Sequence, residues 1–121
     1  MCDYAFEWLT SHLTALTGID SAPSLVQGDT GPGNAVFHEG ALTALVDWEL
    51  AHIGDPMQDI AWIITRCRQY GGDVADSSFV RASYDRVAKQ VSDSQRIAFQ
   101  FVFVNLKCAV ITCLLYTSPS P

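Results

Sequence analysis

Between Gln27 and Asn34 the chain reads Gln-Gly-Asp-Thr-Gly-Pro-Gly-Asn. Glycine and proline at this density rule out both a continuous helix and a regular strand, so the segment is a loop of defined shape. What flanks it sets the rest of the fold. Leu25 and Val26 before it read as a short buried strand. Residues 35–38 and 42–46 after it are strand-like, and Glu39-Gly40-Ala41 between them suits a hairpin turn. Residues 48–54 read as irregular or as one helical turn.

Helical signals surround this centre. Over residues 3–17, Phe6, Leu9, Leu13 and Leu16 recur at helical spacing, and Gly18 is placed to end the helix. Asp55-Pro56 is a helix start, with Asp55 as cap, Pro56 in the first turn and Gln58 completing a box-like arrangement. Met57, Ile60, Ile64 and Cys67 then form an apolar stripe, and Gly71-Gly72 closes the helix. Residues 76–91 predict a further helix with Val80, Tyr84, Val87 and Val91 on one face. Ser92 and Gln95 suggest a capping box for a last helix from about Asp93. Residues 97–115 are strongly apolar but interrupted by Gln100, Asn105 and Lys107. A membrane span needs about 20 mostly apolar residues, so a helix buried on all sides in a soluble core is expected.

A chain of 121 residues, about half of them apolar, suffices for one compact domain. The net charge of -6 without a Lys/Arg cluster argues against nucleic acid and anionic membranes as partners. Cys2, Cys67, Cys108 and Cys113 show no C-x-x-C spacing, which fits buried or incidental thiols in a reducing cytoplasm. Met1 leads into Cys2, Asp3 and Tyr4 without the basic and apolar regions of a signal peptide. Residues 113–121 end in Thr-Ser-Pro-Ser-Pro and resemble the translation of a transposase-type sequencing adapter. They are expected to lie outside the domain, which then spans residues 1–112.

Three polar side chains mark the loop and the hairpin. A hairpin brings Asn34, before its first strand, next to Asp47, after its second, and Asp29 enters from the loop. Hard oxygen ligands such as Asn34 and Asp47 suit Mg²⁺, and a separate carboxylate can accept a hydroxyl proton. The same residue types are ordinary turn formers, so spacing by itself leaves both readings open.

The wording of the segment adds to this. Residues 27–34 are similar to the H-G-D-x-x-x-x-N loop of the aminoglycoside phosphotransferase family, which includes choline-kinase-like small-molecule kinases. Val46-Asp47-Trp48-Glu49 resembles its metal-binding I-D-W-E segment. Gly54-Asp55-Pro56 with Asp59-Ile60-Ala61-Trp62 resembles the G-D-P-x-x-D-L-A-W stretch that follows. The branch with this wording includes domains fused to acyl-CoA dehydrogenases. The resemblance implies the C-terminal lobe of a protein-kinase-like fold, mostly helical α+β with a small β-hairpin. It implies transfer of the γ-phosphoryl group of ATP, with Mg²⁺, to a hydroxyl of a small molecule. Asp29 would be the catalytic base, and Asn34 and Asp47 the ligands of Mg²⁺ and thereby of the nucleotide. Glu49 would stand at the substrate or metal edge, while Gln27 and Asp55 would support the loop. Asp59 reads as a plain first-turn acid.

Two departures stand out: Gln27 replaces the family's usual His, and Thr30-Gly31 replaces an aromatic-then-basic pair. They motivate the alternative of a pseudokinase-like binding domain. Among the 121 residues no Gly-rich nucleotide loop with its Lys occurs; the only lysines are Lys89 and Lys107. The expected partner is therefore an N-terminal lobe of the same protein, without which the chain is inactive. His38 reads as solvated, His12 and His52 as lacking a partner pattern, and Trp48 and Trp62 as core or pocket-wall aromatics.

Overall fold

The computed structural model describes residues 2–16, 22–69 and 77–117. Helix α1 (Cys2–Leu16) leads to strand β1 (Ser24–Val26), then to a single 3₁₀ turn at Pro32–Asn34. The hairpin β2 (Ala35–His38) and β3 (Ala41–Leu45) follows, then β4 (His52–Gly54). Three helices complete the chain: α2 (Met57–Gln69), α3 (Ser77–Ala88) and α4 (Ser94–Thr117). The molecule is mostly helical with two small antiparallel pairs, β1 with β4 and β2 with β3.

The hairpin turns at Glu39 (φ 50°) and Gly40 (φ 77°). Two successive left-handed residues match the right-handed twist of the flanking strands. Register slips by one residue after Val36, where Thr43 Oγ1 donates to the Val36 carbonyl at 3.0 Å. Strand β4 corrects the expectation of irregular backbone at 48–54: Leu25 pairs with Ile53 and Val26 with His52. Nor is β1 buried throughout, since Val26 is sequestered while Leu25 faces outward. Successive side chains of a strand point to opposite faces, and only one face here meets the helices.

Helix α2 is the centre of the core. Asp55 caps it, accepting the Met57 N–H at 2.9 Å. Gln58 does not complete the box; its Oε1 lies 3.2 Å from His52 Nε2. Met57, Ile60 and Ile64 pack with Val80, Tyr84, Ile97 and Phe101. Ala61 and Trp62 pack on Val104 of α4. The α2 N-terminus is tied to α4 by Asp55, which pairs with Arg96 through Nη2 and through Nε at 3.0 Å.

The later helices depart from expectation in three ways. Helix α3 stops at Ala88, and Lys89 turns left-handed (φ 53°), so Val87 and Val91 are exposed and leave the stripe to Val80 and Tyr84. The cap of α4 is Asp93, which accepts the Arg96 N–H at 2.9 Å. Ser92 is buried instead, donating its N–H to Asp85 and accepting from Arg81. Lastly, α4 is not enclosed: only 11% of its most apolar stretch is buried, and Leu114, Leu115 and Tyr116 are open to solvent. By length and composition it is the one helix among the described residues that could cross a membrane. It continues unbroken through residues 112 and 113 to Thr117. The expected helix stops at Gly18 and at Gly71-Gly72 lie outside the described residues.

Candidate active site

The loop after β1 is pinned from below before any chemistry is added. Gly28 is left-handed (φ +85°), and a Cβ there would meet the Leu50 carbonyl oxygen at 2.5 Å, so the reversal requires glycine. The Gln27 and Gly28 N–H groups donate to the two carboxylate oxygens of Asp59, at 2.9 and 3.0 Å. Lys107 of α4 donates to the Gly28 carbonyl at 3.0 Å. The brace expected of Asp55 therefore comes from Asp59. Asp55 sits at the end of α2 that faces α4, its oxygens taken by its own helix, Arg96 and Gln100. Asp59, in the first turn, faces β1.

Gln27 links this loop to the base of the hairpin. Its amide nitrogen donates to the carbonyls of Val46 (3.1 Å) and Asp47 (2.7 Å). Its amide oxygen accepts the Asp29 N–H at 2.9 Å and the Thr30 hydroxyl at 3.3 Å. A buried side chain thus has all its polar capacity used, and it sets residue 29 relative to residue 47.

Asp29 projects from the loop onto α2. Oδ1 accepts from Trp62 Nε1 at 2.6 Å and from Arg66 Nη2 at 2.9 Å, and Oδ2 accepts from Asn34 Nδ2 at 3.0 Å. Burial pushes the carboxyl pKa up, but the donors Arg66, Trp62 and Asn34 together outweigh it and hold the pKa below the ordinary value. A lowered folded pKa stabilises the protein above the unfolded value, and that contribution is lost as pH falls through the folded one. Two donors fill Oδ1 and one reaches Oδ2, so Oδ2 keeps an acceptor position.

Asn34 is oriented as firmly. Its Nδ2 also donates to the Asp29 carbonyl at 2.8 Å, which turns Oδ1 of the amide away from Asp29. Its own carbonyl accepts the Val46 N–H at 3.0 Å, joining the two ends of the hairpin. Asp47 follows directly, left-handed (φ 59°) and exposed; Glu49 beyond it is exposed too. The structure thus brings residues 29 and 34 into contact and sets residue 47 alongside through its backbone. Among the described residues no group of three His, Cys, Asp or Glu could hold a metal. The residues here that could hold a hard cation are Asn34, through its amide oxygen, and Asp47, through its carboxylate, both oxygen donors of the kind Mg²⁺ takes together with water and phosphate.

Sequence reasoning missed the support that α2 provides. Asp59, Trp62 and Arg66 follow one another at steps of three and four, a single face of the helix opposite the Met57–Ile60–Ile64 stripe. That spacing was the available signal. Arg66 and Lys107 both stand over the Trp62 ring, 5.0 and 5.7 Å from its centroid. Gly31 makes room for the arginine, because a Cβ there would come within 3.2 Å of Arg66 Cγ. A cleft of about 80 Å³ remains, lined by Asp29, Gly31, Pro32, Gly33, Asn34 and Arg66. The histidines lie elsewhere. His12 stacks on Trp8 at 4.1 Å, His52 Nδ1 lies 2.9 Å from the Leu50 carbonyl oxygen, and His38 is exposed.

The profile of the phosphotransferase enzyme family (APH) matches residues 2–90, most of the chain. The chain belongs to this family. Its fold is that of the C-terminal lobe of the kinase-like phosphotransferases. The apo structure of a thermostable mutant of aminoglycoside phosphotransferase APH(4)-Ia superimposes with a TM-score of 0.60 at 21% identity. That overlap covers 88% of this chain and 35% of that one. A ternary complex of the same phosphotransferase with AMP-PNP and hygromycin B gives 0.59 at 23% identity, over 88% and 34%. Among curated proteins, acyl-CoA dehydrogenase family member 11 of Homo sapiens is 40% identical over 57 residues, 46% of this chain and 7% of that protein. Acyl-CoA dehydrogenase family member 10 of Mus musculus is 36% identical over 58 residues, 46% of this chain and 5% of that one. These relatives fit the branch that the wording around Gly54 suggests. The phosphotransferase-family chain spans about a third of the solved enzyme and a small part of the curated relatives.

Proposed function

We propose that the chain is the catalytic-loop half of an ATP- and Mg²⁺-dependent phosphotransferase that moves the γ-phosphoryl group to a hydroxyl of a small molecule. The observation that carries this reading is the state of Asp29. Its carboxylate is anchored through Oδ1, keeps an acceptor position on Oδ2, and accepts the Asn34 amide nitrogen at 3.0 Å, which leaves the amide oxygen of Asn34 turned outward. Asp29 would orient the hydroxyl and take its proton. A carboxylate of lowered pKa is a weak base, which suits a loose transition state in which the proton leaves late. Asn34 and Asp47 would hold Mg²⁺, which when bound neutralises phosphate charge. Glu49 would stand at the substrate or metal edge. Gln27 and Asp59 fix the distances between these groups. The nucleotide and the hydroxyl compound present together in the solved neighbour support ATP as donor and a small molecule as acceptor.

The Gly-rich loop and lysine that grip the nucleotide would be supplied by an N-terminal lobe outside these 121 residues, and residues 1–112 would form the domain without the 113–121 tail. The reaction would run in the cytoplasm, in keeping with cysteines that lack C-x-x-C spacing. A second reading, binding without transfer, draws on the salt bridge from Arg66, which makes Asp29 a poorer base. With Mn²⁺ in place of Mg²⁺, amide resonances of Asn34 and Asp47 should broaden first, and Asp47→Ala should abolish this. Broadening centred elsewhere would sink the metal assignment. The chain alone should release no ADP from ATP above buffer; turnover that Asp29→Ala removes would overturn the need for a second lobe.

A further inference from the structure

We infer that Arg66, on helix α2, is the residue that contacts the transferred phosphoryl group, taking the place of a cation that the catalytic loop itself does not carry. The inference rests on the phosphotransferase reading above and adds a catalytic residue to it. In that reaction a hydroxyl oxygen bonds to the γ-phosphorus, the bond from that phosphorus to the bridging oxygen of ADP breaks, and the hydroxyl proton passes to Asp29 Oδ2. Negative charge is thus brought against a carboxylate, with Asp47 set alongside through Gln27, on a chain of net charge -6. Residues 30–33 are Thr-Gly-Pro-Gly and offer no positive side chain. Lys107 is committed to the Gly28 carbonyl under the loop. Arg66 lines the cleft with Asp29 and Asn34, its side chain is 31% exposed, and its Nη2 is 2.9 Å from Asp29 Oδ1. A guanidinium presents five N–H groups in a planar fork, so it can hold Asp29 and a phosphate oxygen together. Gly31 belongs to the same device. Its extended backbone (φ -175°) has no need of glycine, whereas a Cβ there would press on the Arg66 stem at 3.2 Å.

Tripolyphosphate with Mg²⁺ serves as the probe, and binding to the whole 121-residue chain is followed by amide shifts. Arg66→Gln should weaken binding about tenfold, the loss of one charge-assisted contact, and Arg66→Lys should weaken it less. Arg66→Ala with Gly31→Arg, which returns a guanidinium from the loop side, should recover most of the affinity. Mn²⁺ broadening at Asn34 and Asp47, measured on each variant, reports whether the site is intact. Broadening retained with unchanged tripolyphosphate affinity would make Arg66 only a brace for Asp29 and overturn the inference. So would a wild-type chain that binds Mn²⁺ there but no tripolyphosphate. Absence of the Mn²⁺ effect in the wild type would instead bring down the reading beneath it.

Discussion

Helix α2 and the β2–β3 hairpin both deliver residues to the catalytic loop, yet they are held in opposite ways. Four side chains of α2 are sealed in apolar contacts on one flank, while Asp59, Trp62 and Arg66 reach the loop from the other. The hairpin has almost no buried residue: every position of β3 is exposed, and so are Val36 and Phe37 of β2. It is placed by backbone hydrogen bonds and by Gln27 at its base. Rigidity at the site therefore originates in the helix and is passed to the base of the hairpin through Gln27 and through the Asp29–Asn34 contact. The contrast predicts a steep ranking of mutational cost. Trp62→Ala removes a fully packed ring and the Asp29 donor together, and should cost about 3–5 kcal/mol in urea unfolding. Trp62→Phe, which keeps most of the packing and loses only the N–H, should cost clearly less. Equal losses would mean that the hydrogen bond, not the packing, carries the helix side.

Gly28→Ala should come next, at about 2–4 kcal/mol, since it combines a left-handed backbone with a collision at the Leu50 carbonyl. Chemical denaturation of the variant measures it, and a loss below 1 kcal/mol, about the ordinary glycine-to-alanine scale, would show that the loop can shift. Gln27→Ala strands the Asp29 N–H and two carbonyls and should cost about 2 kcal/mol. Its sharper reading is local. Hydrogen exchange should rise at Val46 and Asp47 and leave α2 protected. Gln27→His can restore one donor and one acceptor, so it should return part of the protection.

The same contrast explains what was legible in the sequence. Turn chemistry is local, so the glycine-rich loop, the Glu39-Gly40 hairpin and the Asp55-Pro56 helix start could be read from neighbouring residues. The β1–β4 pairing could not, because three-residue strands nearly thirty positions apart leave no periodic trace. The sequence reads Asp55 as helix cap and loop support and Asp59 as a plain first-turn acid; only the direction of the helix decides that Asp59 meets the loop and Asp55 meets Arg96. Trp62 reads as a wall aromatic, and its indole N–H partner is 33 residues away. Helix α4 failed for another reason. Apolar composition states that a surface favours burial, and does not say whether the molecule has anything to cover it.

That point bears on the smallest predicted effect. Phe37 is 62% exposed in the hairpin, so Phe37→Ser removes little packing and should shift unfolding by no more than about 0.5 kcal/mol. Its cross-strand partner Leu42 is also exposed, which makes the face an apolar pair rather than a single stray ring. If the hairpin is held only through its base, the loss stays small and independent of protein concentration. A cost near that of Gln27→Ala, growing with concentration, would mean that copies cover this face in solution. The hairpin would then be a packed element, and the asymmetry between it and α2 would vanish.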